Sequence, residues 1–273
     1  MTLRTIIPRG LPRGIWVVTI TSAVLMSGIG MIVPLIPAYV EGLGASPADL
    51  GWVMASFFVG RILGQVPAGL VTDRVGRRVV LLGALVGYTV SCLGYATTYD
   101  ASWLMPYRFI QGASAGFFSV AARSLMNDLA GPKLRGSAQG VYSASINLGF
   151  AIGPVAGSFL ATHISMTAPF WASASFSFAA LLVLTFVSFI GRPPAKTVSS
   201  IPRGLAETLR DKRVLALALT SLFFMAGMSV IHTLFSVAAK AEIEDGILFV
   251  GKAVTTAGIS GLLLGPVAGR LCD

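Results

Sequence analysis

Eight runs of mainly apolar residues, each about 20 residues long and bounded by polar or charged stretches, constrain this chain more than any other feature. A helix of about 20 apolar residues can cross a bilayer. Charged residues make up only 11% of the chain, whereas soluble domains carry about a quarter. The sequence therefore predicts an all-α integral membrane protein. The predicted spans are residues 15–40, 50–71, 79–98, 102–125, 136–162, 167–190, 214–239 and 247–269.

Lysine and arginine alternate between the loops of this predicted bundle. They precede the first span and occupy the second, fourth and sixth loops, whereas the first, third and fifth loops hold none. Positively charged loops are retained in the cytoplasm, so the N-terminus and the even-numbered loops are predicted to be cytoplasmic. We expect a multi-pass protein of the cell (inner, cytoplasmic) membrane, in contact with the lipid bilayer. Because this orientation explains the net charge of +9, no nucleic acid partner is expected.

Residues typical of helix starts precede two spans. Ser46 is a predicted N-cap, followed by Pro47 at the first helical position and Asp49 three residues after the cap. Asp100 is placed to cap the fourth span in the same way. Both acids are therefore predicted to cap helices, and not to transfer protons.

The chain lacks the sequence patterns of an enzyme or a metal centre. Cys92 and Cys272 lie in different segments without a paired spacing, which predicts neither a disulfide framework nor a metal site. There is no nucleotide-binding loop and no nucleophile with a base at useful spacing. We therefore expect a non-enzymatic protein without a cofactor or a metal.

The end of the chain repeats the end of the second span. "PVAGRLCD" resembles "VPAGLVTD", and aligning Asp273 with Asp73 also pairs Gly269 with Gly69. Chance agreement between apolar helices is the alternative, but parallel six-helix repeats are typical of transporters. On the repeat interpretation the chain ends after its eighth helix. The predicted domains are a six-helix half at residues 1–191, a cytoplasmic linker at 192–213 and two helices of an incomplete second half at 214–273.

Three motifs resemble those of the major facilitator superfamily. "GLVTDRVGRR", residues 69–78, is similar to the family's loop motif between its second and third helices. "RFIQG", Arg108 to Gly112, is similar to its fourth-helix motif. "GFAIGPVAG", Gly149 to Gly157, resembles a fifth-helix motif typical of its exporters and antiporters. The resemblance implies the family's helical bundle, of which this chain would cover about two thirds.

The resemblance also implies a conformational latch at the cytoplasmic loops. Gly69 and Gly76 would allow close approach and a sharp turn, and Asp73 would be paired. Asp128 precedes Arg135 at a spacing similar to the family's charge relay. The alternative is that the arginines only fix topology and contact anionic lipid headgroups. The predicted latch comprises Gly69, Asp73, Arg74, Gly76, Arg77, Arg78, Asp128 and Arg135.

Charged residues within the predicted spans are candidates for function, because charge in the hydrocarbon usually faces a watery cavity or a partner. Arg108 matches the family motif associated with proton movement, with Gln111 and Gly112 beside it. Arg61 could line a substrate path or be held by helix carbonyls. No Asp or Glu lies deep in any predicted span, so acids that couple transport to H⁺ are expected elsewhere in the protein.

Small residues recur every fourth position in the fifth span. Gly149, Gly153 and Gly157, with Pro154 bending the helix, leave one face nearly free of side chains. By resemblance this face would meet a similar face of the eighth span, at Ala257 and further small residues, and allow rocking between the halves. Ordinary close packing within one bundle is the alternative.

These features predict a secondary active transporter that works by alternating access. The leading hypothesis is efflux of small molecules in exchange for protons, by a protein that is monomeric at full length. The alternatives are uptake of a small, anionic metabolite by symport or facilitated diffusion, and a membrane receptor or scaffold without flux.

Overall fold

The computed structural model describes residues 11–186 continuously, residues 248–256, and scattered positions between 215 and 259. The described part is helical and has no strand. The predicted linker at 192–213 and most of the seventh and eighth spans lie outside the described residues, so the predicted domain division stays a prediction. The helices are α1 (Arg13–Ile32), α2 (Ile36–Gly42), α3 (Pro47–Val75), α4 (Arg77–Thr97), α5 (Leu104–His163) and α6 (Ala168–Phe186), with 3₁₀ turns at Val33–Leu35 and Ala101–Trp103.

Five helical segments in the described part are long and apolar enough to cross a membrane. They correspond to predicted spans one, two, three, five and six. The first is continuous from Arg13 to Gly42, with Pro34 in the 3₁₀ turn that interrupts it. The fourth predicted span is helical but is not among the five, because Arg108, Gln111 and Arg123 lie within it. The prediction of an all-α membrane protein is confirmed.

Glycines set the breaks between helices. Gly76 separates α3 from α4 with a φ of 96°, and Gly131 kinks α5 with a φ of 64°. A side chain disfavours both conformations. The kink divides α5 into a first arm, residues 104–130, and a second arm, residues 132–163. At the start of α3, Ser46 and Asp49 form the predicted capping box.

The first arm of α5 packs against α3 without side chains between them. A Cβ added to Gly60 or Gly64 would overlap the backbone of the first arm, and one added to Gly112 or Gly116 would overlap the backbone of α3. Small residues allow membrane helices to approach this closely. The crossing therefore fixes which residues of α3 face the first arm.

The remaining helices complete the bundle around α5. α6 packs against α1 and α4, where the Ser173 hydroxyl donates to the Gly28 carbonyl and the Ser177 hydroxyl to that of Leu85. Tyr88, Tyr95 and Phe170 are fully buried between these helices. This packing places one set of polar groups in the bundle core and another at the loop end of α3 and α4.

Candidate functional site

Arg77 bridges two acids at the predicted cytoplasmic end of the bundle. Its Nε lies 2.9 Å from Asp128 Oδ2, and a terminal nitrogen lies 3.0 Å from Asp73 Oδ1. The other terminal nitrogen donates to the Thr72 carbonyl at 3.3 Å. Arg77 itself is only 7% exposed. Because Gly76 turns the chain back at the end of α3, the first residue of α4 reaches both α3 and α5.

The other predicted latch residues do not join this bridge. The Arg78 guanidinium donates to the Thr185 carbonyl of α6. Arg74 and Arg135 form no ion pair with any residue in the described part of the chain. Gly69 has no atom of residues 11–186 within 4 Å of the position of an added Cβ, so its close approach stays a prediction.

Arg108 is buried in the core with a set of neutral partners. It is 2% exposed, and a terminal nitrogen donates to Gln111 Oε1 at 2.6 Å. The guanidinium carbon lies 5.0 Å from the centroid of the Phe57 ring, and the other terminal nitrogen lies 3.9 Å from Met54 Sδ. Arg108 Nε has no hydrogen-bond partner in the part of the chain that the structure describes. No carboxylate pairs with this charge within the described residues.

Gln111 connects Arg108 to α4. Its Oε1 also accepts a hydrogen bond from the Tyr95 hydroxyl at 3.3 Å, and its Nε2 lies 3.9 Å from Cys92 Sγ. The Tyr88 hydroxyl is buried in the same region, and within the described residues no hydrogen bond of normal geometry reaches it. The structure therefore brings together the two polar residues of the "RFIQG" motif. Among the described residues this cation is stabilised by an amide, an aromatic face and a thioether, and not by a carboxylate.

Gly112 lies at the contact between the first arm of α5 and α3. A Cβ there would overlap the Phe57 carbonyl and lie 3.0 Å from the Arg61 nitrogen. Gly60, Gly64 and Gly116, which the sequence reasoning missed, complete the same crossing. The signal was present as two pairs of glycines four residues apart, one pair in each of the second and fourth spans.

Arg61 lies beside Arg123 and Tyr142. These two residues are its electrostatic neighbours, and no hydrogen bond joins its side chain to a carbonyl among residues 11–186. The alternative that helix carbonyls hold Arg61 therefore finds no support in the described part. Arg123 and Tyr142 were not predicted, although Arg123 is a charge within an apolar run.

The face of the second arm that carries the small residues packs against α1. Added Cβ atoms at Gly149, Gly153 and Gly157 would overlap α1, at Met26, at Ser27 and Gly30, and at Met31 respectively. In the described part these glycines therefore pack against α1, and the expected pairing of this face with the eighth span stays a prediction. The small residues predicted in the eighth span from Ala257 onward lie outside the described residues.

A neighbouring face of the second arm does meet the start of the eighth span. A Cβ at Gly251 would lie 2.9 Å from the Pro154 carbonyl and would overlap Ser158 Oγ. Residues 248–256 are helical. The two segments are thus in contact, but on the side of Pro154 and Ser158.

Comparison with known proteins gives both relatives and fold neighbours. Quinolone resistance protein NorA of Staphylococcus aureus (strain MRSA252) is 27% identical over 254 residues, which are 92% of this chain and 65% of that protein. The uncharacterized MFS-type transporter MJ1560 of Methanocaldococcus jannaschii is 31% identical over 162 residues, 59% of this chain and 42% of that protein. The chain therefore spans about two thirds of the length of the first of these relatives.

Two solved structures share the fold. The human organic anion transporter MFSD10 (TETRAN) superposes with a TM-score of 0.74 at 19% identity, covering 96% of this chain and 73% of that one. A D-xylose-proton symporter gives 0.66 at 20% identity, covering 95% and 69%. The sequence model of the Major Facilitator Superfamily matches residues 18–273. The chain is a multi-pass membrane protein and belongs to the Major Facilitator Superfamily.

Proposed function

We propose that the complete protein is a secondary active transporter that exports small molecules in exchange for protons by alternating access. The observation that carries the proposal is Arg108, a cation buried in the bundle core without a carboxylate partner in the described part of the chain. Charges at this depth are expensive and usually serve a transport path or its coupling. In the proposed arrangement the protein is monomeric, and its N-terminus and the Arg77 bridge face the cytoplasm of the cell.

The export direction is supported by sequence similarity. NorA is named for quinolone resistance and is 27% identical over 92% of this chain. Outward movement of a drug is one way in which a membrane carrier confers resistance. The motif from Gly149 to Gly157, which resembles that of exporters and antiporters, lies within the aligned family region.

Arg108 would act in coupling as a fixed positive charge. A guanidinium does not lose its proton in proteins, so Arg108 cannot itself carry the exchanged proton. Its buried charge would instead disfavour a second positive charge nearby. Gln111 accepts a hydrogen bond from the guanidinium and is itself held by the Tyr95 hydroxyl. The positive charge would therefore keep its position, and the exchanged proton and the substrate would compete for binding beside it.

The Arg77 bridge would stabilise one of the two conformations. It joins the ends of α3 and α4 to the first arm of α5 near Gly131. When the cytoplasmic ends of the helices separate, the contact between Arg77 and Asp128 would lengthen. Loss of the bridge would then favour the conformation that is open to the cytoplasm.

The test is flux driven by a proton gradient in proteoliposomes that hold the full-length protein. Arg108→Gln and Arg108→Lys should each reduce gradient-driven flux by at least about tenfold, since neither retains the guanidinium fork. Arg13→Gln, at the exposed start of α1, is the matched control and should not change it. No flux of any tested drug under either gradient orientation would contradict the proposal, and unchanged flux in both Arg108 variants would favour a receptor or scaffold.

Uptake of an anion is the second candidate, favoured by the proximity of Arg61 and Arg123. One fold neighbour is an organic anion transporter and the other is a proton symporter. Reversing the proton gradient in the same proteoliposomes separates the candidates. Accumulation of substrate on the side toward which protons flow would support symport and contradict exchange.

A further inference from the structure

Two arginines from different helices act on one buried tyrosine. Arg61 comes from α3, Arg123 from the first arm of α5 and Tyr142 from the second arm. The Arg123 guanidinium carbon lies 5.8 Å from the centroid of the Tyr142 ring. Tyr142 is 0% exposed, and within the described residues no hydrogen bond of normal geometry reaches its hydroxyl. Both guanidinium charges act on that hydroxyl, so three donors share one region of the bundle.

This cluster carries positive charge without compensation. Neither arginine has a carboxylate partner within the described part of the chain, and the charged neighbour of Arg61 is another cation. By helical rise, Arg123 lies about 12 Å along its helix from the Gly131 kink. Two like charges that are partly shielded from water repel each other unless an anion or water compensates them. An anion between the two guanidinium groups would relieve that repulsion.

The positions of the donors are fixed by packing. Gly112 and Gly116 of the first arm contact the backbone nitrogen and carbonyl of Arg61, leaving no room for a Cβ. Near Arg123, Gln139 Nε2 donates to Asn127 Oδ1 at 3.0 Å and to the Arg123 carbonyl at 3.3 Å. These contacts hold the two arms together through the Arg123 backbone, so within the described residues the Arg123 guanidinium contacts only the Tyr142 side chain.

The cluster differs from the Arg108 site in access. Arg108 is almost fully buried and is engaged by Gln111 and Phe57. Arg123 is exposed and Arg61 is partly exposed at the bundle surface. A ligand can therefore reach the Arg61 and Arg123 guanidinium groups without unpacking the core.

We propose that Arg61, Arg123 and Tyr142 bind the oxyanion of a small amphipathic substrate, a carboxylate, sulfonate or phosphate group. Guanidinium forks match the geometry of such groups and form short, charge-assisted hydrogen bonds. The buried Tyr142 hydroxyl, beside Arg123, supplies a further donor. The assignment of the ligand as a transported substrate rests on the proposed function, whereas the binding itself does not.

The experiment measures equilibrium binding to the full-length protein in nanodiscs of zwitterionic lipid. The probes are 2-naphthoate and its uncharged analogue 2-naphthamide. Their binding is measured by equilibrium dialysis, with naphthyl fluorescence reporting the free concentration. Wild type should bind the carboxylate more tightly. Arg61→Gln and Arg123→Gln should each weaken naphthoate binding by about tenfold or more, as expected for a lost charge-assisted hydrogen bond. Tyr142→Phe should weaken it by about threefold to tenfold.

Naphthamide binding and thermal stability provide the controls. Naphthamide affinity should not change in any of the three variants, and Arg13→Gln should bind naphthoate as wild type does. Naphthoate should raise the unfolding temperature of wild type but not of Arg123→Gln, since a ligand stabilises only the protein that binds it. Without ligand, Arg123→Gln should unfold no earlier than wild type, because one of two repelling charges has been removed.

Two results would overturn the inference. One is equal affinity of wild type for naphthoate and naphthamide. The other is an equal loss of naphthoate binding in Arg13→Gln. Repeating the titration in nanodiscs of anionic lipid, at a salt concentration that screens the surface charge, separates the sources of the oxyanion, since abolished binding there would assign the site to a lipid headgroup and refute a substrate. Gradient-driven transport that fails while naphthoate binding persists would contradict the proposed function alone.

Discussion

Replacement of Asp128 by asparagine tests how the Arg77 bridge distributes its stabilisation between two acids. The Asp128 side chain is 29% exposed, and its oxygen lies 2.9 Å from an Arg77 nitrogen that is almost buried. Losing a charged hydrogen bond with a buried partner costs about 1.5–3 kcal/mol, and partial exposure reduces this to about 1–2 kcal/mol. Asp73 is 45% exposed and pairs with Arg77, four residues later in the sequence, across the turn at Gly76. Its replacement should cost less than about 1 kcal/mol.

The assay is unfolding of the full-length protein in nanodiscs at low and high salt. Asp128→Asn should lower the unfolding temperature more than Asp73→Asn. High salt should remove most of the Asp73 effect but less of the Asp128 effect, because screening acts mainly on exposed pairs. A double-mutant cycle with Arg77→Gln isolates each pair.

Two outcomes would refute this reasoning. If Asp73→Asn is at least as destabilising as Asp128→Asn, burial does not determine how much each of the two ion pairs contributes to the free energy of unfolding. If the cycle gives no coupling between Arg77 and Asp128, the contact at 2.9 Å contributes nothing to stability.

Other substitutions test the glycines. Gly76→Ala should destabilise the protein by about 1–2 kcal/mol, since it places a side chain at a φ of 96°. An unchanged unfolding temperature would contradict the positive φ at this turn. Gly153→Ala should destabilise the contact with α1, where Ser27 and Gly30 leave no room for a methyl group. Gly83→Ala is its matched control, because no described atom lies within 4 Å there, and it should be neutral or slightly stabilising by helix propensity. Equal effects at Gly153 and Gly83 would contradict close packing.

Hydropathy and capping chemistry predicted the helices well. The third span was predicted at 79–98 and lies at Arg77–Thr97, because a long apolar run bounded by charge has few alternatives in a bilayer. Ser46 and Asp49 cap α3 as predicted, since capping depends on neighbours in sequence. The segment expected to be a loop between spans four and five is instead helical on both sides of Gly131, where the two arms meet at a non-helical backbone conformation. A single glycine with positive φ redirects the chain there without a longer loop.

Partners across the bundle were harder to predict. The repeat of glycines from Gly149 to Gly157 identified a face without side chains, but the same pattern suits any close neighbour, and the neighbour is α1. The sequence predicted that Asp73 is paired and placed Asp128 in the same latch by resemblance, but it did not single out Arg77 as the residue that pairs with both. The cluster at Tyr142 joins residues 61, 123 and 142. Its geometry depends on helix rotation, which hydropathy does not specify.

The backbone contact between α3 and the first arm of α5 restricts how this protein can diversify. Where two main chains touch at Gly60 and Gly112, even an added methyl group would push the helices apart and displace Arg61 and Phe57 together. Selection for a new substrate range is therefore expected to spare the four glycines of the crossing. It should instead accumulate changes on the flanking side chains, which can vary without altering the distance between the helices.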